Sequence, residues 1–254
     1  MTKPPPHIGL FVTCLVDMMR PAIGFAAVKL LEDHGCKVAV PEAQTCCGQP
    51  AFNSGDRQDA AEIARAVIKA FAPYDYVVAP SGSCAAMIAK HYPELFTPGS
   101  QDHTAALELA SRTHELTSFL MNVLKIEKLE SQHKATITYH DSCSGLRELG
   151  VKQEPRALLN KVSGVKLTEM ENAEICCGFG GTFCVKYPDI SAEMATRKTE
   201  AITTSGADLL LAGDLGCLMN LAGKLAREGS RVDVRHIAEV LAGEFTAPPI
   251  GKPE

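Results

Sequence analysis

Short apolar runs rich in Val, Ile and Leu alternate along the chain with stretches of helical period. The runs within "HIGLFVTC", "YDYVVAPSGSC", "TITYHDSC" and "ADLLLAGDLGC" read as buried strands. Between the first two, "SGDRQDAAEIARAVIKAF" predicts a helix that sets Ile63, Ala66, Val67 and Ala70 on one face behind an Asp/Ser start. Strand-helix alternation of this kind predicts an α/β fold with parallel sheets. In such sheets the loops beyond the carboxyl ends of the strands build the binding site. Cys14, Cys84, Cys143 and Cys217 each follow one of the apolar runs directly or after a short turn, so all four are expected at that end.

The pattern also repeats. "HIGLFVTC" matches "TITYHDSC", "TCCGQP" matches "ICCGFG", and "YDYVVAPSGSC" matches "ADLLLAGDLGC". The offset is 129 positions from Cys14 to Cys143, 130 from Cys46 to Cys176 and from Cys47 to Cys177, and 133 from Cys84 to Cys217. A helix is expected at the end of each unit, in "HELTSFLMNVL" from His114 and "HIAEVLAGEF" from His236. Together these predict two similar, duplicated α/β domains with parallel sheets and a pseudo-two-fold repeat, residues 1–130 and 131–254, joined near "KLESQHK".

Composition narrows the function classes. The 254 residues are 46% hydrophobic and 22% charged, enough for a sizeable core in a globular chain. A net charge of -5 with scattered Lys and Arg lacks the basic footprint that nucleic acid requires. The apolar runs fall far short of the roughly 18 residues of a membrane helix, so a membrane-spanning chain is not expected. The start, "MTKPPPHIGLFVTCLVD", makes a poor signal peptide, and a cytoplasmic location is expected. In that reducing compartment ten cysteines point to metal ligation or thiol chemistry ahead of disulfides.

Spacing sharpens the choice. In the first unit 31 residues separate Cys14 from Cys46 and 36 separate Cys47 from Cys84; in the second the gaps are 32 and 39. Structural zinc sites favour short C-x2-4-C knuckles, which neither unit has, so zinc is disfavoured but stays open. A multi-iron cluster suits adjacent cysteines, because each thiolate can take a separate iron, and four thiolates are the usual ligand set. Two quartets follow: Cys14, Cys46, Cys47 and Cys84, then Cys143, Cys176, Cys177 and Cys217. Gly48 in one unit, and Gly178, Gly180 and Gly181 in the other, would let backbone approach a bulky anion and offer N–H groups to its sulfurs. "CGFGG" lacks the G-x-G-x-x-G frame of a nucleotide loop.

A Cys, a distant Cys-Cys-Gly and a Cys closing a strand-turn, present twice, resemble the cysteine-rich CCG domain found in heterodisulfide reductase and in the iron-sulfur subunit of glycolate oxidase. The details "QTCCGQPAFNSGD", "APSGSCAAM", "YHDSC", "CCGFGGTF" and "GDLGCLMN" are more similar still to the lactate-utilisation protein A family of bacterial iron-sulfur oxidoreductase subunits. The resemblance spans nearly the whole chain. It implies an electron-transfer subunit, with up to two [4Fe-4S] clusters, of a cytoplasmic complex that oxidises L-lactate or a related 2-hydroxy acid. Its partners would be further iron-sulfur subunits.

One departure matters. The heterodisulfide reductase type closes each motif with C-x-x-C, whereas this chain has Ser81 before Cys84 and Asp214 before Cys217. Four thiolates per unit suit an ordinary cubane, and the noncubane cluster and disulfide chemistry are not carried over. Ser81 and Asp214 are either oxygen ligands or helix caps. Cys184, seven positions after Cys177, is either an added ligand of the second site or a small buried hydrophobe. His140 is either a ligand or relay, or a hydrogen-bonding neighbour of the thiolates. Cys36 is read as core, His114 and His236 as repeat architecture, and Arg147 and Lys186 as first basic residues at a docking face. A disulfide-reducing enzyme and a structural zinc scaffold remain the rival functions.

Overall fold

The computed structural model describes residues 4–253. Eight strands form two sheets. β1 (His7–Leu10), β2 (Lys37–Ala39), β3 (Tyr76–Ala79) and β4 (Thr113–Glu115) build the first, in the order β2-β1-β3-β4. β5 (Gln132–Tyr139), β6 (Ser163–Leu167), β7 (Leu209–Ala212) and β8 (Asp233–His236) build the second, in the order β6-β5-β7-β8. All six strand pairings are parallel. The fold is thus α/β with two similar halves, as the repeat implied.

β4 and β8 lie within stretches whose first residues were expected to open helices. His114 and His236 are strand residues, and the helices start only at Leu116 and Ile237. β4, Thr-His-Glu, and β8, Asp-Val-Arg-His, are mostly polar, so neither makes the apolar run that marks the similarly short β1, β3 and β7. The helix Arg57–Phe71 is present with Asp56 as its cap, but its buried face is Ala60, Ala61, Ala64, Val67 and Phe71. Ala66 is exposed, because alanine reads as apolar on either side of an Ala-rich helix.

Period-two alternation explains how each sheet divides its side chains. From β3, Val78 enters a central core while Val77 and Ala79 face an outer one; from β7, Leu209 and Leu211 face the central core while Leu210 and Ala212 face outward. The central core is continuous across the halves, joining Ile8, Leu10 and Ile23 to Ile137, Leu211 and Ile237. The end helices are exchanged: Leu116–Ser118 packs on Gln153–Leu159 of the second half, and Ile237–Ala242 packs on Pro21–Asp33 of the first. The buried ion pair between Arg20 and Glu239 locks the second exchange.

The strand order has a direct consequence for function. The chain leaves β1 toward β2 on one side and returns to β3 on the other, so a crevice opens beyond the carboxyl ends of β1 and β3. The second half repeats this between β5 and β7.

Candidate metal centre

Both crevices are lined with cysteine. In the first, Thr13 follows β1 and caps the helix Cys14–Met19 by accepting from the Val16 N–H at 3.3 Å, which seats Cys14 at the helix start. Ser81 follows β3 and caps the helix Gly82–Ala86, which carries Cys84. The adjacent pair enters on a separate loop that turns at Gly48, whose φ of 82° favours glycine. Gly178 repeats the turn with φ 85°.

The quartets divide into matching pairs. Cys14 Sγ lies 3.9 Å from Cys46 Sγ, and Cys47 Sγ lies 3.4 Å from Cys84 Sγ. In the second half Cys143 faces Cys176 and Cys177 faces Cys217. Each cysteine of an adjacent pair thus meets a different outer cysteine, and the two adjacent thiols also meet each other. The carbonyl of the second cysteine of each pair is held from behind, Cys47 O by Tyr92 Oη and Cys177 O by Asn220 Nδ2, both at 2.9 Å. Backbone N–H groups of Gly178 and Phe179 point at Cys176 Sγ and Cys177 Sγ, at 3.4 and 3.5 Å. All ten cysteines are free thiols.

Crowding four thiols distorts their acidity. Hydrogen bonding to Cys46, then burial, pushes Cys14 far above the ordinary thiol range, and Cys176 and burial do the same to Cys143. Cys46, which receives hydrogen bonds from Cys14 and Cys47, is pushed down. Each quartet holds protons that a multivalent cation would displace.

Space for a bound group is visible at the first quartet. A cavity of about 260 Å³ is bordered by Cys14, Cys46, Cys47 and Cys84 on one side. Phe179, Thr182, Val185 and Asp214 of the second half close the other side. The loop around Cys184 thus leans over the first site, although its sequence position suggested the second. Cys184 Sγ donates to Gly181 O at 3.2 Å.

Ser81 and Asp214 meet each other. Ser81 Oγ donates to Asp214 Oδ2 at 3.1 Å and accepts from the Cys84 N–H at 3.3 Å. Asp214 also accepts from the N–H groups of Ser83 and Gly216, at 3.0 and 3.2 Å. Their oxygens are engaged in capping and in tying the halves together.

His140 lies beside the second quartet. One ring nitrogen and the Sγ atoms of Cys177 and Cys217 lie within 4.8 Å of one another. Burial first, then the Lys198 cation, pushes the imidazole down to about 3. Asp141, the next residue, is clamped by both terminal nitrogens of Arg156 at 2.8 Å, which fixes the loop that leads into Cys143.

The pattern of the sequence does not single out Lys198. This 2%-exposed lysine points inward from the helix Pro188–Thr204 and donates to Asn172 O and Ala173 O at 2.6 and 3.1 Å. Burial lowers it to about 8, against the opposing pull of Cys177. Its only signal in the sequence was position, since it shares a helix face with Ala195 and Ile202. His114 packs at a tilt against Tyr76 and Phe119, which also meet edge to face, and His236 caps the helix Ile237–Ala242, so both serve the architecture. Cys36 is buried in the central core.

The CCG cysteine-rich domain family matches residues 8–89 and again 137–222, which brackets the two crevices. The chain is 49% identical over 235 residues to lactate utilization protein A of Shouchella clausii, covering 92% of this chain and 98% of that one. It is 50% identical over 234 residues to the protein of the same name from Geobacillus kaustophilus, at 92% and 98% coverage. The chain belongs to the lactate utilization protein A family. Among solved structures a hypothetical protein from Helicobacter pylori shares the fold, with a TM-score of 0.65 at 13% identity over 96% of this chain; the match spans 50% of that protein. Among the described residues no helix is long and apolar enough to cross a membrane.

Proposed function

We propose that this chain is an iron-sulfur electron-transfer subunit serving the oxidation of L-lactate or a related 2-hydroxy acid. Each half, with the boundary drawn at 130/131, would hold one cluster, most simply [4Fe-4S]. The ligands would be Cys14, Cys46, Cys47 and Cys84 in one half and Cys143, Cys176, Cys177 and Cys217 in the other. The observation that carries the reading is the cavity at the first quartet. Its roughly 260 Å³ is many times the ~30 Å³ share of one water molecule, and all four cysteines border it. Backbone N–H groups aimed at cysteine sulfur in the second half suit a cluster with exposed sulfides as well. When bound, such a group supplies one-electron redox chemistry. The chain's own residues hold it, bring N–H donors to its sulfurs and wall it with the opposite half.

The substrate rests on the relatives, whose name specifies lactate utilization. Further iron-sulfur subunits in the cytoplasm would deliver and remove the electrons, with Arg147 and Lys186 as the first basic residues to test at the docking face. Ser81 and Asp214 act here as caps, and Cys184, half-buried and outside the hydrophobic cores, directs its thiol at the Gly181 carbonyl.

A zinc scaffold is the second reading, favoured by the sulfur spacing. The pairs at 3.9 and 3.4 Å bracket the ~3.8 Å edge of a zinc-thiolate tetrahedron with Zn–S bonds of ~2.3 Å. Anaerobic preparation and reconstitution, followed by iron, sulfide and zinc analysis and EPR, decides. The expected result is iron and acid-labile sulfide in similar amounts with a cluster signal on reduction. Folded protein that takes up zinc but no iron or sulfide would sink the electron-transfer reading.

A further inference from the structure

The two crevices share a backbone and four cysteines each, yet their linings differ in one respect that bears on redox chemistry. The residue directly after β1 is Phe11, whose N–H donates to Val78 O at 2.8 Å. The residue directly after β5 is His140, whose N–H donates to Leu211 O, also at 2.8 Å. They are the same position of the repeat. Phe11 packs with Cys47 and Cys84 in the first outer core, and His140 lies against Cys177 and Cys217 in the second.

A buried imidazole is not a neutral replacement for a phenyl ring. His140 is 0% exposed, and neither ring nitrogen has a hydrogen-bond partner of normal geometry. Buried N–H groups are almost always paired, so a partner is expected. The polar groups that border the ring are the Ala173 carbonyl, which also accepts from Lys198, and the sulfur atoms of Cys177 and Cys217, so the ring's two nitrogens are divided between a carbonyl and the thiols or a group bound to them.

Lys198 adds a second asymmetry. It is buried, makes no ion pair with a carboxylate among the described residues, and is held only by two carbonyls. A buried ammonium without a counter-charge is costly. The negative groups that act on it are Asp141, already clamped by Arg156, and the thiolates that the second quartet would present to a bound metal. In the first half the corresponding helix, Arg57–Phe71, buries only Ala60, Ala61, Ala64, Val67 and Phe71.

Hydrogen bonds to sulfur and nearby positive charge both stabilise the reduced, more negative state of an iron-sulfur group and raise its reduction potential. We propose that the two centres are electronically unequal, with His140 and Lys198 making the second the higher-potential site where an electron comes to rest. The proposal rests on the cluster reading above. In the step itself one electron passes from an external one-electron reductant to the second cluster. The reductant is oxidised, the cluster is reduced, and no bond or proton is exchanged.

The test is an EPR-monitored potentiometric titration of the full chain, reconstituted anaerobically and reduced with dithionite. The wild type should show two resolved steps. His140→Phe, which copies the first half, and Lys198→Met should each lower the upper midpoint and leave the lower one in place. Phe11→His should raise the lower midpoint. Coincident steps in the wild type, or an upper midpoint unmoved in both variants, would overturn the inequality. Iron and sulfide assays on the same samples separate the two levels: folded protein without a cluster overturns both readings, whereas loaded protein with unmoved midpoints overturns this one alone.

Discussion

Ser81 and Asp214 occupy the same position in the two halves, and they hydrogen-bond to each other at 3.1 Å across the seam. Asp214 collects three donors, Ser81 Oγ and the N–H groups of Ser83 and Gly216. Two of them belong to the helix start that carries Cys84, and the third to the helix that carries Cys217. Asp214→Ala removes the acceptor these donors share, at ~1–3 kcal/mol for each group left unsatisfied, although Ser81 Oγ keeps Ser83 Oγ at 3.2 Å. The expected outcome is a lower urea midpoint of the metal-free protein and, on the iron-sulfur reading proposed above, lower iron content per chain, with Asp214→Asn milder. Unchanged iron per chain in the alanine variant would show that the seam does not position the cysteines.

Arg20 reaches across the same seam to Glu239, with Nε at 3.0 Å and Nη2 at 2.7 Å from Oε1. The Glu239 side chain is 0% exposed and Arg20 11%. Removing one partner of a buried pair leaves the other charge stranded and costs about 3–5 kcal/mol. Arg20→Ala should therefore destabilise strongly in denaturant titrations, and Glu239→Gln, which keeps an acceptor for the His236 N–H, should cost less than Glu239→Leu, which also strands Arg235.

Two glycines should respond in opposite directions to the same substitution. A Cβ on Gly82 would sit 2.9 Å from Gly145 Cα and 3.0 Å from Gly145 N, rigid backbone of the other half. Gly82→Ala should cost ~1–3 kcal/mol by overpacking the seam. A Cβ on Gly223, inside the helix Leu215–Arg227, meets nothing nearer than the flexible end of Arg227 at 3.5 Å. Gly223→Ala should stabilise by up to ~1 kcal/mol through helix propensity. Thermal melts of the two variants would show the contrast.

Glu115 is fully buried beside Gly213 of the opposite half, and burial pushes its carboxyl up to about 7 from 4.5, against hydrogen bonds from Thr117 and Ser118. Because the folded value is the higher one, the folded state holds the proton where the unfolded state has released it. The resulting penalty is absent below about 4.5, grows as pH rises, and is complete above about 7, on the order of 3 kcal/mol. Glu115→Gln keeps an acceptor for both donors and should remove this slope. The difference between wild type and variant, measured by denaturation from pH 4.5 to 8, should grow in favour of the variant as pH rises.

Much of the fold was legible because duplication shows directly in spacing. The offsets of 129 to 133 positions between matching cysteines announced two halves, and strand-helix alternation announced parallel sheets. β4 and β8 were hidden because their residues are mostly polar and form no apolar run, and the buried face of Arg57–Phe71 differs from the expected one because alanine reads as apolar on either side. Exchange of the end helices left no trace in the sequence, since an amphipathic helix records that it has a buried face and not which half covers it.

Residue identity and spacing were enough to say which thiols exist, that eight of them repeat at offsets of 129 to 133 positions, and that a glycine follows each adjacent pair. The contact of each adjacent thiol with a different outer cysteine, the bond between Ser81 and Asp214, and the approach of His140 and Lys198 to the second quartet where Phe11 shares a core with the first became visible only in the folded chain. Those relationships join residues far apart in the sequence, and their distances arise only when parallel strands bring both halves onto one shared core.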